Sequence, residues 1–226
     1  MISLSKRLFM AADLVPRCKT LADVGTDHGY LAVWLLQSGR ANRVIASDIG
    51  EGPLRSARDT AKRYGLEDTL QTVLADGLNY PGSEQAEVIT ICGMGGETMI
   101  SILSAAPWTK GNRRLILQPQ SKLSELENWL KREGYAIEDA RLCLDAGKCY
   151  LALSVLGGSS WTQGTEDWLL DHRDPLLPHY LSREIKKSES ALGGLKQAVQ
   201  DHGSAVSALE ARLNALRQYE KEMQSW

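Results

Sequence analysis

Apolar and polar positions follow two alternating patterns along the first 157 residues. Short runs rich in Val, Ile and Leu are typical of buried strands, and longer segments with an apolar residue every three or four positions are typical of amphipathic helices. These patterns predict strands at 21–24, 43–48, 70–75, 88–92 and 114–117, separated by helices from residue 31, at 51–64, 97–105 and 121–133. Regular alternation of strand and helix predicts a parallel sheet with helices on both faces.

The sequence also predicts a first helix, a helix cap and a final hairpin. Residues 1–20 predict one amphipathic helix, and Ser121 is predicted to cap the helix that starts there. Residues 135–144 and 149–156 are apolar runs joined by Asp145-Ala146-Gly147-Lys148. This spacing predicts an antiparallel hairpin at the end of the sheet.

Beyond residue 156 the pattern is helical, and Gly157-Gly158-Ser159-Ser160 indicates a linker. We therefore predict one domain over residues 1–157 and another over residues 161–226. Apolar residues of the second domain recur at coiled-coil spacing. They are Ile185, Leu192, Val199, Val206 and Leu213, with Leu195, Leu209, Leu216 and Met223 on the companion seam.

The segment Asp201-His202-Gly203-Ser204 interrupts this heptad pattern with a helix stop followed by a helix cap. It favours two antiparallel helices, at about 178–200 and 205–224, over one continuous rod. The alternative is a continuous helix that dimerises. With the seam closed inside one chain, we expect a monomer rather than a coiled-coil homodimer.

Composition narrows the class of protein. Of the 226 residues, 43% are hydrophobic and 24% charged, and the apolar runs are far shorter than a membrane span. No secretory signal is recognisable, so we expect a cytoplasmic protein. The four cysteines have neither CxxC spacing nor nearby histidine pairs, which indicates reduced structural thiols and no metal site. The formal net charge of −2 means that any nucleic-acid surface must be local.

Polar or glycine residues end four of the predicted strands. The first strand ends in D-x-G-x-x-x-G at residues 23–29, which differs from the G-x-G-x-x-G dinucleotide fingerprint. Gly25 and Gly29 permit a tight bend and the close approach of a ligand, and the helix start behind them suits a polar or anionic group. The other strand ends carry Asp48, Asp76-Gly77 and Gly93-Met94-Gly95-Gly96. Together these ends should line one crevice.

Two of these aspartates have the positions of nucleoside ligands. Asp48 lies 23 residues after Gly25 and is placed to accept both hydroxyls of a ribose, although a turn-forming aspartate is the alternative. Asp76 is placed to accept an adenine amino group, with an ordinary Asp-Gly turn as the alternative.

The motifs D-V-G-T-D-H-G-Y-L, I-C-G-M-G-G-E and L-Q-P-Q, in this order and followed by a coiled coil, resemble those of the bacterial tRNA (adenine(22)-N1)-methyltransferases. The resemblance covers essentially the whole chain. It implies an α/β fold, a Rossmann-like class I methyltransferase sheet of seven strands with an antiparallel last hairpin, and a C-terminal α-helical coiled-coil domain that contacts tRNA. It also implies methyl transfer from S-adenosyl-L-methionine to N1 of adenine 22 in tRNA.

Within this family Gly25, Asp48 and Asp76 would hold the methionine end, the ribose and the adenine of the cofactor. The full set that we expect to bind the cofactor is Asp23, Gly25, Thr26, Asp48, Ile49, Asp76, Gly77, Gly93, Met94 and Gly95. Enzymes that methylate amino groups carry an Asn/Asp-Pro-Pro-aromatic box after the fourth strand, which Cys92–Gly96 replaces here. This departure argues against N6 chemistry. A ring nitrogen has an in-plane lone pair, so its methylation mainly requires proximity and an offset for the developing charge.

Asp27, His28 and Tyr30 are the candidate catalytic residues, because their loop should face the methyl group. Asp27 would stabilise the cationic product or accept a proton from N6, or else only order the loop or hold the ammonium group of the cofactor. His28 could instead cap the helix or contact the cofactor carboxylate. Tyr30 would stack on the target base or pack against the sheet.

Two basic segments are the candidates for contact with RNA. The first is Lys6, Arg7, Arg17 and Lys19, with a solvated helix face as the alternative. The second is Arg183, Lys186 and Lys187, although residues 161–226 hold eight basic residues against ten acidic ones. The alternatives are an S-adenosylmethionine-dependent methyltransferase that acts on another RNA position, a non-catalytic RNA-binding scaffold and a nicotinamide-dependent oxidoreductase.

Overall fold

The computed structural model describes residues 1–197 and 203–223. It divides the chain into two compact units, Met1–Thr165 and Glu166–Trp226. The sequence-based boundary, with one domain over residues 1–157 and another over residues 161–226, stays a prediction. Within the described residues, no helix is both long enough and apolar enough to cross a membrane.

The first unit is built on a seven-stranded sheet in the order β3-β2-β1-β4-β5-β7-β6. Its strands are β1 Cys18–Val24, β2 Ala41–Asp48, β3 Leu70–Leu74, β4 Val88–Met94, β5 Arg114–Pro119, β6 Tyr135–Asp145 and β7 Lys148–Gly157. Strands β1 to β5 pair in parallel, and β7 lies antiparallel between β5 and β6. The predicted α/β class, with seven strands and an antiparallel last hairpin, is confirmed.

Five helices accompany this sheet. They are α1 Lys6–Leu14, α2 Tyr30–Gln37, α3 Glu51–Arg63, α4 Gly96–Ser104 and α5 Leu123–Arg132. Helices α1, α2 and α3 pack side by side, and α4 packs against α5. The central strands are covered on both faces, which explains why they are continuous apolar runs: Ile89, Ile91 and Leu117 are all fully buried.

The single helix predicted over residues 1–20 is wrong, because α1 ends at Leu14. Val15 takes an extended conformation, as a residue before proline prefers, and Pro16 follows it. Cys18 then begins β1. Of the four bases that the prediction placed on one helix, only Lys6 and Arg7 belong to α1, while Lys19 belongs to β1.

The predicted cap of α5 is also wrong. The N-cap position is taken by Lys122, in the left-handed region at φ 58°. Ser121 contributes its backbone carbonyl to the amide of Gly96 instead, at 2.9 Å. This backbone contact joins the start of α5 to the start of α4.

The second unit contains α6 Thr165–Asp171, α7 Leu177–Gln197 and α8 Gly203–Met223. The Lys196–Glu210 and Arg217–Glu189 ion pairs, each 2.8 Å, show that α7 and α8 run antiparallel. Leu213 is buried on the seam between them. The predicted helix pair is therefore found, while Val199 and the first two residues of the predicted turn, Asp201 and His202, lie outside the described residues.

Candidate active site

A cavity of about 440 Å³ opens at the carboxyl ends of β1, β2 and β4. The chain passes from β1 to β2 on one side and returns to β4 on the other, so this edge is the topological switch point, where open α/β sheets bind ligands. The cavity is lined by Arg7, Leu8, Asp23, Gly25, Thr26, Asp27, His28, Tyr30, Leu31, Asp48, Ile49, Cys92, Gly93 and Met94.

The loop after β1 bends tightly over the end of β2. The backbone amides of Gly25 and Thr26 donate to the carbonyl of Ser47, at 2.8 and 3.3 Å. Gly25 has φ +73°, and a Cβ atom placed there would lie 2.2 Å from Cε of Met94. The positive φ favours glycine at this position, whereas the flexible end of the Met94 side chain could shift away from a Cβ atom.

Asp23 is buried at the end of β1 and fixes the base of this loop. Its carboxylate accepts hydrogen bonds from the hydroxyls of Thr90, at 2.6 Å, and Thr26, at 2.8 Å. Burial raises the pKa of Asp23 above its ordinary value, while the two threonine hydrogen bonds lower the pKa and the nearby charge of Asp48 raises it. Since the two threonines engage both carboxylate oxygens, the structure places Asp23 as the support of the loop.

Asp48 and Ile49 form the wall at the end of β2. One carboxylate oxygen of Asp48 accepts a hydrogen bond from the amide of Gly50, at 2.9 Å. No cation within the described ranges forms an ion pair with Asp48. Ile49 exposes 78% of its surface next to this carboxylate. An acceptor beside an exposed apolar side chain matches the two needs of a nucleoside, hydroxyl recognition and an apolar surface for the base.

Three predicted cofactor residues lie outside the lining of the cavity. Asp76 is exposed at the turn after β3, and the carbonyl of Gly77 accepts from the Ser47 hydroxyl at 2.8 Å. A Cβ atom on Gly77 would lie 2.9 Å from the side chain of Ile102, so this glycine serves close packing. Gly95 precedes α4 as its N-cap residue. Their roles as cofactor ligands stay predictions.

Asp27, His28 and Tyr30 lie together on the open side of the cavity. Asp27 has φ 51° and a side chain that is 78% exposed, and its carboxylate is 3.5 Å from Nε2 of His28. The rings of His28 and Tyr30 stack, with centroids 5.3 Å apart and an interplanar angle of 20°. The arrangement offers a carboxylate and an aromatic platform to a planar ligand.

The structure assigns to the cavity one residue that sequence reasoning had placed on an RNA-binding surface. Arg7 extends its guanidinium towards Gly93 and donates from Nη1 to Oε1 of Gln118, at 2.8 Å. Gln118, from the L-Q-P-Q motif, is fully buried. No sequence signal identified Arg7, because the residues that hold it lie more than 100 positions away.

The remaining predicted RNA contacts are outside this cavity. Lys6, Arg17 and Lys19 are exposed on the first unit. On α7 of the second unit, Arg183 and Lys187 both form ion pairs with Glu184, at 2.9 and 3.7 Å, and Lys186 is exposed. Across residues 1–197 and 203–223, no group of three or more His, Cys, Asp or Glu side chains could hold a metal ion.

A sequence profile described as a methyltransferase domain matches residues 4–153, which include every residue that lines the cavity. The chain belongs to the methyltransferase domain family. This methyltransferase chain is 36% identical over 158 residues to the tRNA (adenine(22)-N(1))-methyltransferase of Bacillus subtilis, an alignment that covers 70% of the chain and 66% of that protein. The resemblance drawn from the three motifs is confirmed.

Solved structures extend the similarity to both units of the methyltransferase. The crystal structure of the Bacillus subtilis m1A22 tRNA methyltransferase TrmK matches with a TM-score of 0.84 at 28% identity, over 97% of this chain and 99% of that one. Streptococcus pneumoniae Sp1610 in complex with S-adenosyl-L-methionine matches with a TM-score of 0.81 at 32% identity, over 97% and 99% of the two chains.

Proposed function

We propose that this protein transfers a methyl group from S-adenosyl-L-methionine to N1 of adenine 22 in tRNA. The observation that carries the proposal is the cavity at the switch point, bounded by the Gly25 loop, Asp48 and Gly93, in a chain whose whole length matches an m1A22 tRNA methyltransferase. Streptococcus pneumoniae Sp1610, whose structure contains S-adenosyl-L-methionine, also matches 97% of this chain.

The residues of the cavity fit this methyl donor. Asp48 is half-buried and has no cationic partner among the described residues, so its carboxylate is suited to accept the two ribose hydroxyls. Ile49 offers the adenine an apolar surface that is otherwise left in water. Gly25 leaves the space beside Met94 open for the methionine end.

When bound, S-adenosyl-L-methionine supplies a methyl group on a positively charged sulfur, which the N1 lone pair of adenine can attack in line. The chain contributes position and electrostatics to this reaction. We assign to Asp27 the role of offsetting the positive charge that appears on the adenine ring. Its exposed carboxylate borders the cavity, and burial of Asp27 beneath a bound base would strengthen the interaction.

We further propose that the stacked rings of His28 and Tyr30 receive the target base. Tyr30 is 42% exposed at the cavity wall, so its ring is accessible to a planar ligand. Because N1 takes part in base pairing, a paired adenine would have to leave its helix to reach these rings. The loop at Gly93 and Met94 lacks the amide and proline groups that hold an exocyclic amine, which favours N1 over N6 as the acceptor.

The contacts with the rest of the tRNA are proposed on charge. Lys6, Arg17 and Lys19 on the first unit and Arg183, Lys186 and Lys187 on the second are exposed cations suited to phosphate groups. We propose a cytoplasmic protein and a monomer. The monomer is supported by α7 and α8, which pair within one chain and bury Leu213 and Leu216.

Transfer of a labelled methyl group tests this function against its rivals. Purified protein should label a tRNA transcript that has adenine at position 22 and leave unlabelled a matched transcript with guanine there. A titration should show binding of S-adenosyl-L-methionine and no binding of NAD. Incorporation into neither transcript would favour a non-catalytic scaffold, and binding of NAD alone would favour an oxidoreductase.

A further inference from the structure

Among the residues that the structure describes, Arg7 is the one arginine that lines the cavity, and its guanidinium contacts neutral groups. Nη1 donates to Oε1 of Gln118 at 2.8 Å, and Cζ lies 5.7 Å from the centre of the Tyr150 ring. A guanidinium carries five N–H donors, so a single bond to an amide leaves most of its hydrogen-bonding capacity unused.

The charge of Arg7 is also unbalanced within the described part of the chain. Arg40, Arg114 and Arg141 each form an ion pair with a carboxylate, whereas the guanidinium of Arg7 forms none there. Asp145 contacts the backbone of Arg7 rather than its guanidinium, because its carboxylate accepts from the Arg7 amide at 3.1 Å. A half-buried arginine that faces a cavity and forms no ion pair among the described residues is suited to an anionic ligand group.

The guanidinium is held in a defined position by elements far apart in sequence. Gln118 is fully buried, and its Oε1 also accepts from the side chain of Gln120, at 3.0 Å. At the other end of α1, Arg40 donates to the carbonyls of Asp13 and Val15, at 2.8 and 2.6 Å. Both ends of α1 are thus anchored, and the position of Arg7 is set before any ligand arrives.

The aspartates that line the cavity determine which kind of anionic ligand can bind beside Arg7. Asp23, Asp27 and Asp48 line the same space, so a phosphodiester group entering it would meet several carboxylates and one arginine. A zwitterionic amino acid fits this distribution, because its ammonium can face the acids and its carboxylate can face Arg7. The proposed function puts the methionine end in the space beside Gly25 and Gly93, and Nη1 of Arg7 lies next to Gly93.

We propose that Arg7 binds the carboxylate of the amino-acid end of S-adenosyl-L-methionine and that Gln118 and Tyr150 position it for this contact. The inference rests on the proposed function, since it presumes this methyl donor. It moves Arg7 from the RNA-contacting surface that its basic neighbours suggested into the binding site of the cofactor.

Binding of two adenosine ligands tests the assignment without catalysis. S-adenosylhomocysteine has the amino-acid carboxylate, and 5′-methylthioadenosine lacks the whole amino-acid end. By calorimetry on the full-length protein, Arg7→Met should weaken binding of S-adenosylhomocysteine by about 10- to 100-fold, the range expected for charge-assisted hydrogen bonds. It should change the Kd of 5′-methylthioadenosine by less than about 3-fold. Arg63→Met, at an exposed arginine outside the cavity, is the matched control and should change neither.

The other outcomes overturn the assignment. Equal weakening of both ligands would mean that Arg7 only supports the shape of the cavity. Unchanged binding of both ligands, with weaker binding of tRNA, would make Arg7 a phosphate contact. If Arg7→Met does not fold, Arg7→Lys keeps the charge but loses the planar fork, and a selective loss for S-adenosylhomocysteine is again required. Failure of the wild-type protein to bind either ligand would instead reject the proposed function.

Discussion

We expect the orientation of the methyl donor to depend on Asp48, which lines the cavity. If its carboxylate accepts the two ribose hydroxyls, Asp48→Ala removes two charge-assisted bonds that each contribute about 1.5 to 3 kcal/mol. We expect Asp48→Ala to weaken S-adenosylhomocysteine binding by at least about 10-fold in calorimetry. Asp59→Ala, at an exposed aspartate of α3, should leave the Kd unchanged. Wild-type affinity in a folded Asp48→Ala protein would mean that the ribose lies elsewhere.

Asp27 should act on the rate of methyl transfer rather than on cofactor affinity. Its φ of 51° lies in the left-handed region, which asparagine tolerates well, so Asp27→Asn should preserve the loop. We expect the single-turnover rate on tRNA to fall by about 100-fold or more, as when one transition-state electrostatic contact is removed. The Kd of S-adenosylhomocysteine should stay nearly constant. A lower affinity with a saturated rate that recovers would make Asp27 a ligand of the cofactor ammonium group.

At the scale of single residues, the sequence predicted correctly those cavity residues that lie at the end of a strand. Gly25, Asp48 and Met94 were predicted from the ends of their strands, and the structure brings them to one cavity. It could not locate Arg7, whose position depends on Gln118 and Tyr150, 111 and 143 positions along the chain. A basic residue in an amphipathic helix looks the same whether it faces solvent or a cavity, and only packing distinguishes the two.

Among the elements, the β6–β7 hairpin deserves a direct test because its turn anchors Arg7 through Asp145. The two central residues of the turn, Ala146 and Gly147, have φ of 48° and 76°, the signs required by a type I′ turn. Alanine is strained there by about 1 kcal/mol, whereas asparagine before glycine is the preferred pair.

Ala146→Asn should therefore stabilise the first unit, raising its Tm by about 1 to 3 °C in thermal unfolding. Gly147→Ala is the opposite control and should lower the Tm, because it adds a second non-glycine residue at positive φ. A lower Tm for Ala146→Asn would show that the turn adopts another conformation in solution.

Element boundaries were predicted well where local chemistry decides them. The strands of the sheet and the hairpin followed from apolar runs and turn residues, since those signals are contained in a few neighbouring positions. The first helix was predicted too long because its apolar spacing continues past Leu14, whereas Val15 before Pro16 takes an extended conformation that ends the helix. Ser121 matches a capping pattern in the sequence, but Lys122 takes the N-cap position of α5 and the carbonyl of Ser121 accepts from Gly96.

At the scale of the whole molecule, we expect the first unit to bind the cofactor and the second unit to contribute to tRNA binding, which a truncation can test. Every residue that lines the cavity lies in Met1–Thr165, and so do all seven strands. A protein ending at Thr165 should fold and bind S-adenosylhomocysteine within about 3-fold of the full-length Kd. Its affinity for tRNA should fall and depend less steeply on salt, because the exposed cations of α7 are gone.

The full-length protein is the control for this truncation, measured at the same salt concentrations. Loss of S-adenosylhomocysteine binding by a folded fragment would show that the helical unit is needed for the cofactor site. Unchanged tRNA affinity would show that the helical unit does not contact the substrate.

The central claim, methyl transfer to N1 of adenine 22, is tested most directly by mass spectrometry of the product. Unmodified tRNA is incubated with the full-length protein and S-adenosyl-L-methionine, and nuclease fragments and nucleosides are then compared with a reaction that lacks protein. We predict one added methyl group, mapped to nucleotide 22 and identified as 1-methyladenosine. A methyl group on N6, on a ribose or at another nucleotide would contradict the assignment.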